Sequence, residues 1–193
     1  MAARLADIAI TESGFGADLG AEKFIDIKCR KTGLKPDCVV LVATVRALKY
    51  NGGVAKTDLN TPNVEALKKG ICNLDAHLDN IAKFGVPCVV AINAFPTDTE
   101  EEMEFIREHC AKRGVRVALS EVFAKGGEGG IELAEKVIDV LENEQAKKKM
   151  LYEDEMPLAE KIETIAKTIY GADKVNIMPA AAKELDNIAK LGF

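Results

Sequence analysis

Two kinds of residue in this chain are spaced for chemistry: glycines at turns and a pair of phenylalanines. The stretch "ITESGFGADLGAEKF", Ile10–Phe24, sets Gly14, Gly16 and Gly20 between a short apolar run and a helical pattern. Strand, glycine turn and helix is a layout that holds phosphate, because free N–H groups and the helix dipole converge there. The spacing is GxGxxxG, whereas the dinucleotide fingerprint is GxGxxG with an acid ending the second strand, a place held here by Arg46. A P-loop needs GxxxxGK[ST], and the nearest string, "GGVAKT" at Gly52–Thr57, lacks the second glycine–lysine pair. A second glycine run, "KGGEGG" at Lys125–Gly130, enters another helix and has the same attraction for an anion. A plain flexible helix entry meets that pattern equally well.

Phe95 and Phe123 stand 28 residues apart, about one βαβ unit. Each follows an apolar strand run, "PCVVAINAF" and "VRVALS". Ligands of open parallel sheets bind beyond the carboxyl ends of the strands. Two aromatics at the ends of neighbouring strands would flank a crevice for a flat heterocycle, although two core residues fit the same spacing. Pro96 after Phe95, and the four-glycine loop after Phe123, favour a site. No base or nucleophile stands out, so catalytic residues stay unassigned. No CxxC or HxxxH occurs, and His77 and His109 fall within helical patterns, so no metal site is expected.

Composition narrows the function classes. A net charge of −5 offers nothing to nucleic acid and opposes an anionic membrane surface. No apolar run reaches the roughly 18 residues of a membrane span, and "MAARLADIAITESG" lacks a signal-peptide core. The five scattered cysteines, Cys29, Cys38, Cys72, Cys88 and Cys110, read as reduced thiols of a cytoplasmic protein.

The elements that must position these residues alternate. Asp7–Thr11 reads as a strand and a helix follows from about Gly20, with Phe24/Ile27 and Ile25/Cys29 spaced along it and Gly33 as its stop. "CVVLVATV", Cys38–Val45, suits a strand covered on both faces. Residues 46–61 show no clear period and read as a long loop. Thr61 and Pro62 offer an N-cap and first helical position. Gly70 then interrupts the helix before a segment carrying Leu74, Leu78 and Ile81, stopped by Gly85.

Thr97 with Glu100 reads as the capping box of a helix burying Met103, Ile106 and Cys110. The next helix turns Ile131, Ala134, Ile138 and Leu141 inward, and the charged stretch Glu142 to Glu155 continues it before turning. Leu158, Ile162, Ile165 and Ile169 make one stripe. "KVNIM" reads as a short strand and Pro179 opens a last helix with Leu185 and Ile188. The order β-α-β-α-α-β-α-β-α-α-β-α predicts an α/β fold, a parallel sheet in three layers with helical crossovers. A domain boundary is expected near Gly70–Asn73, dividing residues 1–72 from 73–193.

Five strings, "ITESGFGADLGAEKFIDIKCR", "VVLVATVRALKYNGG", "GVPCVVAINAFPTDTEEE", "VALSEVFAKGGEGGIELAEKV" and "KIETIAKTIYGADKV", resemble formate–tetrahydrofolate ligase, also called formyltetrahydrofolate synthetase, in family order across nearly the whole chain. The resemblance implies a P-loop NTPase-like α/β fold and a central fragment. Residues 1–72 would end the large nucleotide-binding domain and 73–193 would form most of the second; the P-loop and the C-terminal part would lie elsewhere. It implies an ATP-dependent ligase of one-carbon metabolism that uses ATP with Mg2+ and tetrahydrofolate, joins formate to tetrahydrofolate through formyl phosphate, and assembles as a homo-tetramer. By similarity, Phe95, Pro96, Leu119 and Phe123 form the folate slot, with Phe123 where the family usually has tryptophan. Gly14, Phe15 and Gly16 would contact the acyl phosphate. The isolated chain is expected to be inactive. The alternative is a non-catalytic folate- or anion-binding module; a nicotinamide oxidoreductase is disfavoured by the glycine spacing.

Overall fold

The computed structural model describes residues 2–192. Three parallel strands, β1 (Val39–Ala43), β2 (Cys88–Asn93) and β3 (Arg116–Ser120), lie side by side in the order β1-β2-β3. Val39 pairs with Cys88 and Asn93 with Ser120. Parallel neighbours need helical crossovers, and α3 (Val45–Asn51) with α4 (Val64–Lys83), then α5 (Glu100–Lys112), supply them. Before β1 come α1 (Ala2–Leu5), π-wound turns over Ala17–Ala21 and Phe24–Cys29, and α2 (Arg30–Thr32). After β3 come α6 (Val122–Lys125), α7 (Ile131–Asn143), α8 (Leu158–Thr168) and α9 (Pro179–Ala189). The α/β fold with a parallel sheet is as the sequence implies.

The main core forms where helical period meets the sheet. Leu67, Ile71, Leu74 and Leu78 of α4 and Ile106 and Cys110 of α5 pack on Val90 and Ile92 of β2. These spacings put each set on one helix face. A second cluster, Ile25, Phe84, Val86 and Ile169, ties the π-wound segment to the ends of α4 and α8.

Several local expectations fail for identifiable reasons. Asp7–Thr11 forms no strand and lies exposed, because no described neighbour offers it a ladder. "KVNIM" is likewise irregular. β1 is covered on one face only: Val40 and Val42 are exposed. Residues 46–61 hold α3 and a 3-10 turn at Lys56–Asp58, not a loop throughout. Asn63, and not Thr61, caps α4, its side chain accepting from the Ala66 N–H at 2.9 Å. The α5 box is Thr99 with Glu102, one of two overlapping matches in "TDTEEE". Along α7 the buried residue is Val140, while Ile131 and Ile138 are exposed. That helix ends at Asn143, and the following strand-like stretch pairs Lys147 and Lys149 with Gly85 and Phe84.

Gly70 does not break α4, which runs through it. A Cβ there would lie 1.9 Å from the Leu48 carbonyl oxygen, and one on Gly52 would lie 1.9 Å from that of Ala66. The two glycines let α3 and α4 touch backbone to backbone. Gly70→Ala therefore sets two effects against each other: helix propensity gains about 1 kcal/mol, whereas forcing a methyl into packed backbone costs about 1–3 kcal/mol. Urea denaturation is expected to show net destabilisation.

One buried ion pair ties these helices together. Lys49 and Glu102 are both 0% exposed, with Nζ 2.9 Å from Oε1. Lys49 also donates to the Thr61 carbonyl at 3.0 Å, and the Asn63 N–H donates to Glu102 Oε1 at 2.8 Å. The other oxygen, Oε2, accepts from the Thr99 N–H at 3.1 Å, closing the α5 capping box. Burial alone would raise the Glu102 carboxyl, but the Asn63 N–H, Lys49 and Thr99 outweigh it and hold it below its ordinary 4.5. A depressed carboxyl stabilises the fold above the unfolded value, and that stabilisation is lost as pH falls through the folded one. Lys49→Ala is expected to cost about 3–5 kcal/mol at pH 7 by urea denaturation, because it strands a buried charge. The penalty should shrink on acidification, as the carboxyl stranded in the variant takes up a proton.

Candidate functional site

The carboxyl edge of β2 and β3 is built by turn chemistry. Past Asn93, the Ala94 N–H donates to the Ser120 carbonyl at 3.0 Å, extending the ladder by one residue. Phe95 then donates its N–H to Asp98 Oδ2 at 2.9 Å, and the Asp98 N–H returns to the Phe95 carbonyl at 2.9 Å. This reciprocal turn across Pro96 fixes the Phe95 ring at the rim, 37% exposed. Burial pushes the Asp98 carboxyl up, partly offset by the Phe95 N–H, and its Oδ1 has no hydrogen-bond partner. Arg46 lies in the first turn of α3, which Thr44 caps by accepting the Ala47 N–H at 3.1 Å. Its guanidinium sits 5.4 Å from the Phe95 ring centroid.

The β3 side is shaped by a glycine. The Leu119 N–H donates to Glu132 Oε2 at 3.1 Å, drawing α7 onto the strand end. The Glu121 N–H donates to the Gly129 carbonyl at 2.9 Å. A Cβ on Gly129 would lie 2.5 Å from the Glu121 backbone, so only glycine allows the loop to fold back this closely. α6 then presents Phe123 to solvent, 95% exposed. Phe123 is therefore no core residue, and Leu119 is half-buried.

The other glycine loop makes a separate hollow. Gly14, Phe15, Gly20, Lys23 and Lys28 line a cavity of about 370 Å³. A Cβ on Gly20 would lie 1.7 Å from the Gly14 carbonyl oxygen, which explains the glycine there, and Phe15 is wholly exposed. Gly16 has φ 77°, a left-handed value suited to glycine. Asp18, in the first turn after it, lies 3.9 Å from His77 Nδ1 on α4. Behind the loop, Glu22 and Asp26 are buried together. Burial first, and the charge of Asp26 second, push the Glu22 carboxyl up. Burial also pushes Asp26 up, partly offset by the Leu151 N–H at 3.1 Å and by Arg30.

The structure brings Phe95, Pro96, Leu119 and Phe123 to the carboxyl edge of two paired strands. The Gly14–Phe15–Gly16 turn is held elsewhere: its neighbour Asp18 meets α4 at His77, about 20 Å along the helix axis from Asn63 at 1.5 Å per residue. The family model for formate–tetrahydrofolate ligase matches residues 1–193. The chain belongs to this family. It is thus a member of a ligase family with a P-loop NTPase-like fold, whose members use ATP and tetrahydrofolate with formate in one-carbon metabolism. No described helix is long and apolar enough to cross a membrane.

Two features of this ligase-family chain escape sequence reasoning. The Lys49–Glu102 pair hides because both residues resemble solvated helix charges, although the overlapping TxxE boxes in "TDTEEE" signal a functional cap. Arg46 was visible as the residue ending a strand, but its stacking on Phe95 depends on a contact 49 positions away. The Glu22–Asp26 pair supports a test. A carboxyl raised by folding costs stability as pH rises through its folded value and costs nothing below its unfolded one. Glu22→Gln should therefore raise the melting temperature at pH 7, and the gain should fade on acidification toward pH 4.5.

Proposed function

We propose that this chain supplies the folate-binding side of formate–tetrahydrofolate ligase. The supporting observation is the strand-end edge, with Phe95 at the rim of β2 and Phe123 projecting after β3, joined through the Asn93–Ser120 register. In the proposed reaction, formate takes the γ-phosphoryl group of ATP to give formyl phosphate and ADP. The N10 amine of tetrahydrofolate then attacks the formyl carbon, and phosphate leaves. Phe95 and Phe123 hold the pterin ring between aromatic faces, with Pro96 and Leu119 lining the slot. Transfer of this kind asks for positioning more than for a protein nucleophile, consistent with the lack of an evident one.

MgATP does not fit the residues described. No GxxxxGK[ST] string occurs in the sequence, so the lysine-bearing loop that cradles a triphosphate is not among these residues. No step through ATP is assigned to these residues; in this proposal the nucleotide cradle lies outside them, and the strand-end edge carries the slot. Gly14, Phe15 and Gly16 meet the acyl phosphate through backbone N–H groups with Lys23 and Lys28 nearby. For that, the π-wound segment must move along α4 toward the slot. The protein works in the cytoplasm as a homo-tetramer, and the isolated chain makes no formyl phosphate.

Calorimetric titration with tetrahydrofolate tests the slot. Phe95→Ala should weaken binding about tenfold, since aromatic stacking adds about 0.5–1.5 kcal/mol beyond burial; unchanged affinity would remove Phe95 from the site. Phe123→Trp should tighten binding or leave it unchanged, through its larger stacking face. Formate-dependent ADP release by the isolated chain would contradict the placement of the ATP cradle.

A further inference from the structure

Arg46 is a cation at this edge that acts on the nearby Asp98 carboxyl through space and makes no ion pair with it. It is half-buried, and among the described residues its guanidinium makes no hydrogen bond or ion pair. Its helix neighbour Lys49 is committed to Glu102 and to the Thr61 carbonyl. The nearby acid, Asp98, gives Oδ2 to the Phe95 N–H and keeps Oδ1 buried without a partner. What restrains Arg46 is the Phe95 ring, 5.4 Å away. A guanidinium packed on an aromatic face keeps its N–H fork free at the edge, and that planar fork matches paired oxygen acceptors better than an ammonium does.

We propose that Arg46 is a specificity-determining residue: the flat heterocycle takes the Phe95 face, and the guanidinium it displaces donates to the carbonyl oxygen on the rim of that heterocycle. Its role rests on the folate reading above. The slot then accepts a ring bearing an oxo group at that edge and discriminates against one bearing an amino group, which would set donor against donor and leave the guanidinium desolvated and unpaired. A phosphoryl oxygen is the other acceptor of the same chemistry, and the experiment separates the two.

The full chain and its Arg46→Gln, Arg46→Lys and Phe95→Ala variants are titrated calorimetrically with tetrahydrofolate and with its analogue carrying an amino group in place of the pterin carbonyl. Both titrations are repeated in inorganic phosphate, and thermal melts accompany each variant. The unmodified chain should prefer tetrahydrofolate about tenfold or more, the worth of one buried unpaired donor. Arg46→Gln should erase the preference and Arg46→Lys should restore part of it. If Arg46→Gln does not fold, Arg46→Lys alone should still show a reduced preference.

A preference retained in Arg46→Gln, or undiminished in Arg46→Lys, would overturn the proposal, as would an equal loss of affinity for both ligands, which marks Arg46 as a prop for the ring. Phosphate competition that disappears with Arg46 would assign it to an anion instead, and overturn it also. Phe95→Ala should weaken both ligands alike; if it changes neither, the folate reading itself fails. No binding of either ligand to the unmodified chain overturns both.

Discussion

The buried contact between Lys49 and Glu102 is the constraint on which the strand-end edge depends. Both charges are fully removed from water, at 2.9 Å, in a place where an unpaired charge would cost several kcal/mol. Glu102 uses both oxygens, gathering the ammonium of α3, the Asn63 N–H that starts α4 and the Thr99 N–H that starts α5. Three helix ends are thereby fixed at one end of the sheet. Arg46 stands one helical turn before Lys49, and Phe95 stands in the turn that leads to Thr99. Their meeting is a consequence of the pair.

The glycine contacts act in the same region for a different reason. Gly52 and Gly70 bring α3 against α4 at backbone distance, which sets where Lys49 reaches. Gly129 folds the loop after β3 onto Glu121, which sets where Phe123 emerges. Side-chain removal at these positions serves packing, and phosphate binding need not be invoked for any of them. Only the Gly14–Gly16 turn combines glycines with nearby lysines around a hollow.

Much of the sheet was legible in the sequence. The runs at 38–45, 87–93 and 115–120 are β-branched and bounded by turns, and the stops at Gly33 and Gly85 follow from left-handed backbone that glycine adopts freely. The proximity of Phe95 and Phe123 to one edge followed from parallel topology. What was hidden depended on long-range partners. α3 looked like loop because Lys49 occupies a buried position where an apolar residue would have revealed the period. Asp7–Thr11 has strand composition but no described neighbour to pair with. Two apolar stripes run along α7, and only docking on the sheet selects the one that buries Val140.

The central proposal is that the rim of β2 and β3 is where the folate ring sits. The most direct measurement is a crystal structure of this chain soaked with a tetrahydrofolate analogue. The bicyclic ring should lie between Phe95 and Phe123, against Leu119, with the Lys49–Glu102 contact intact. A ring found in the Gly14–Lys28 hollow, with Phe95 and Phe123 left bare, would contradict it.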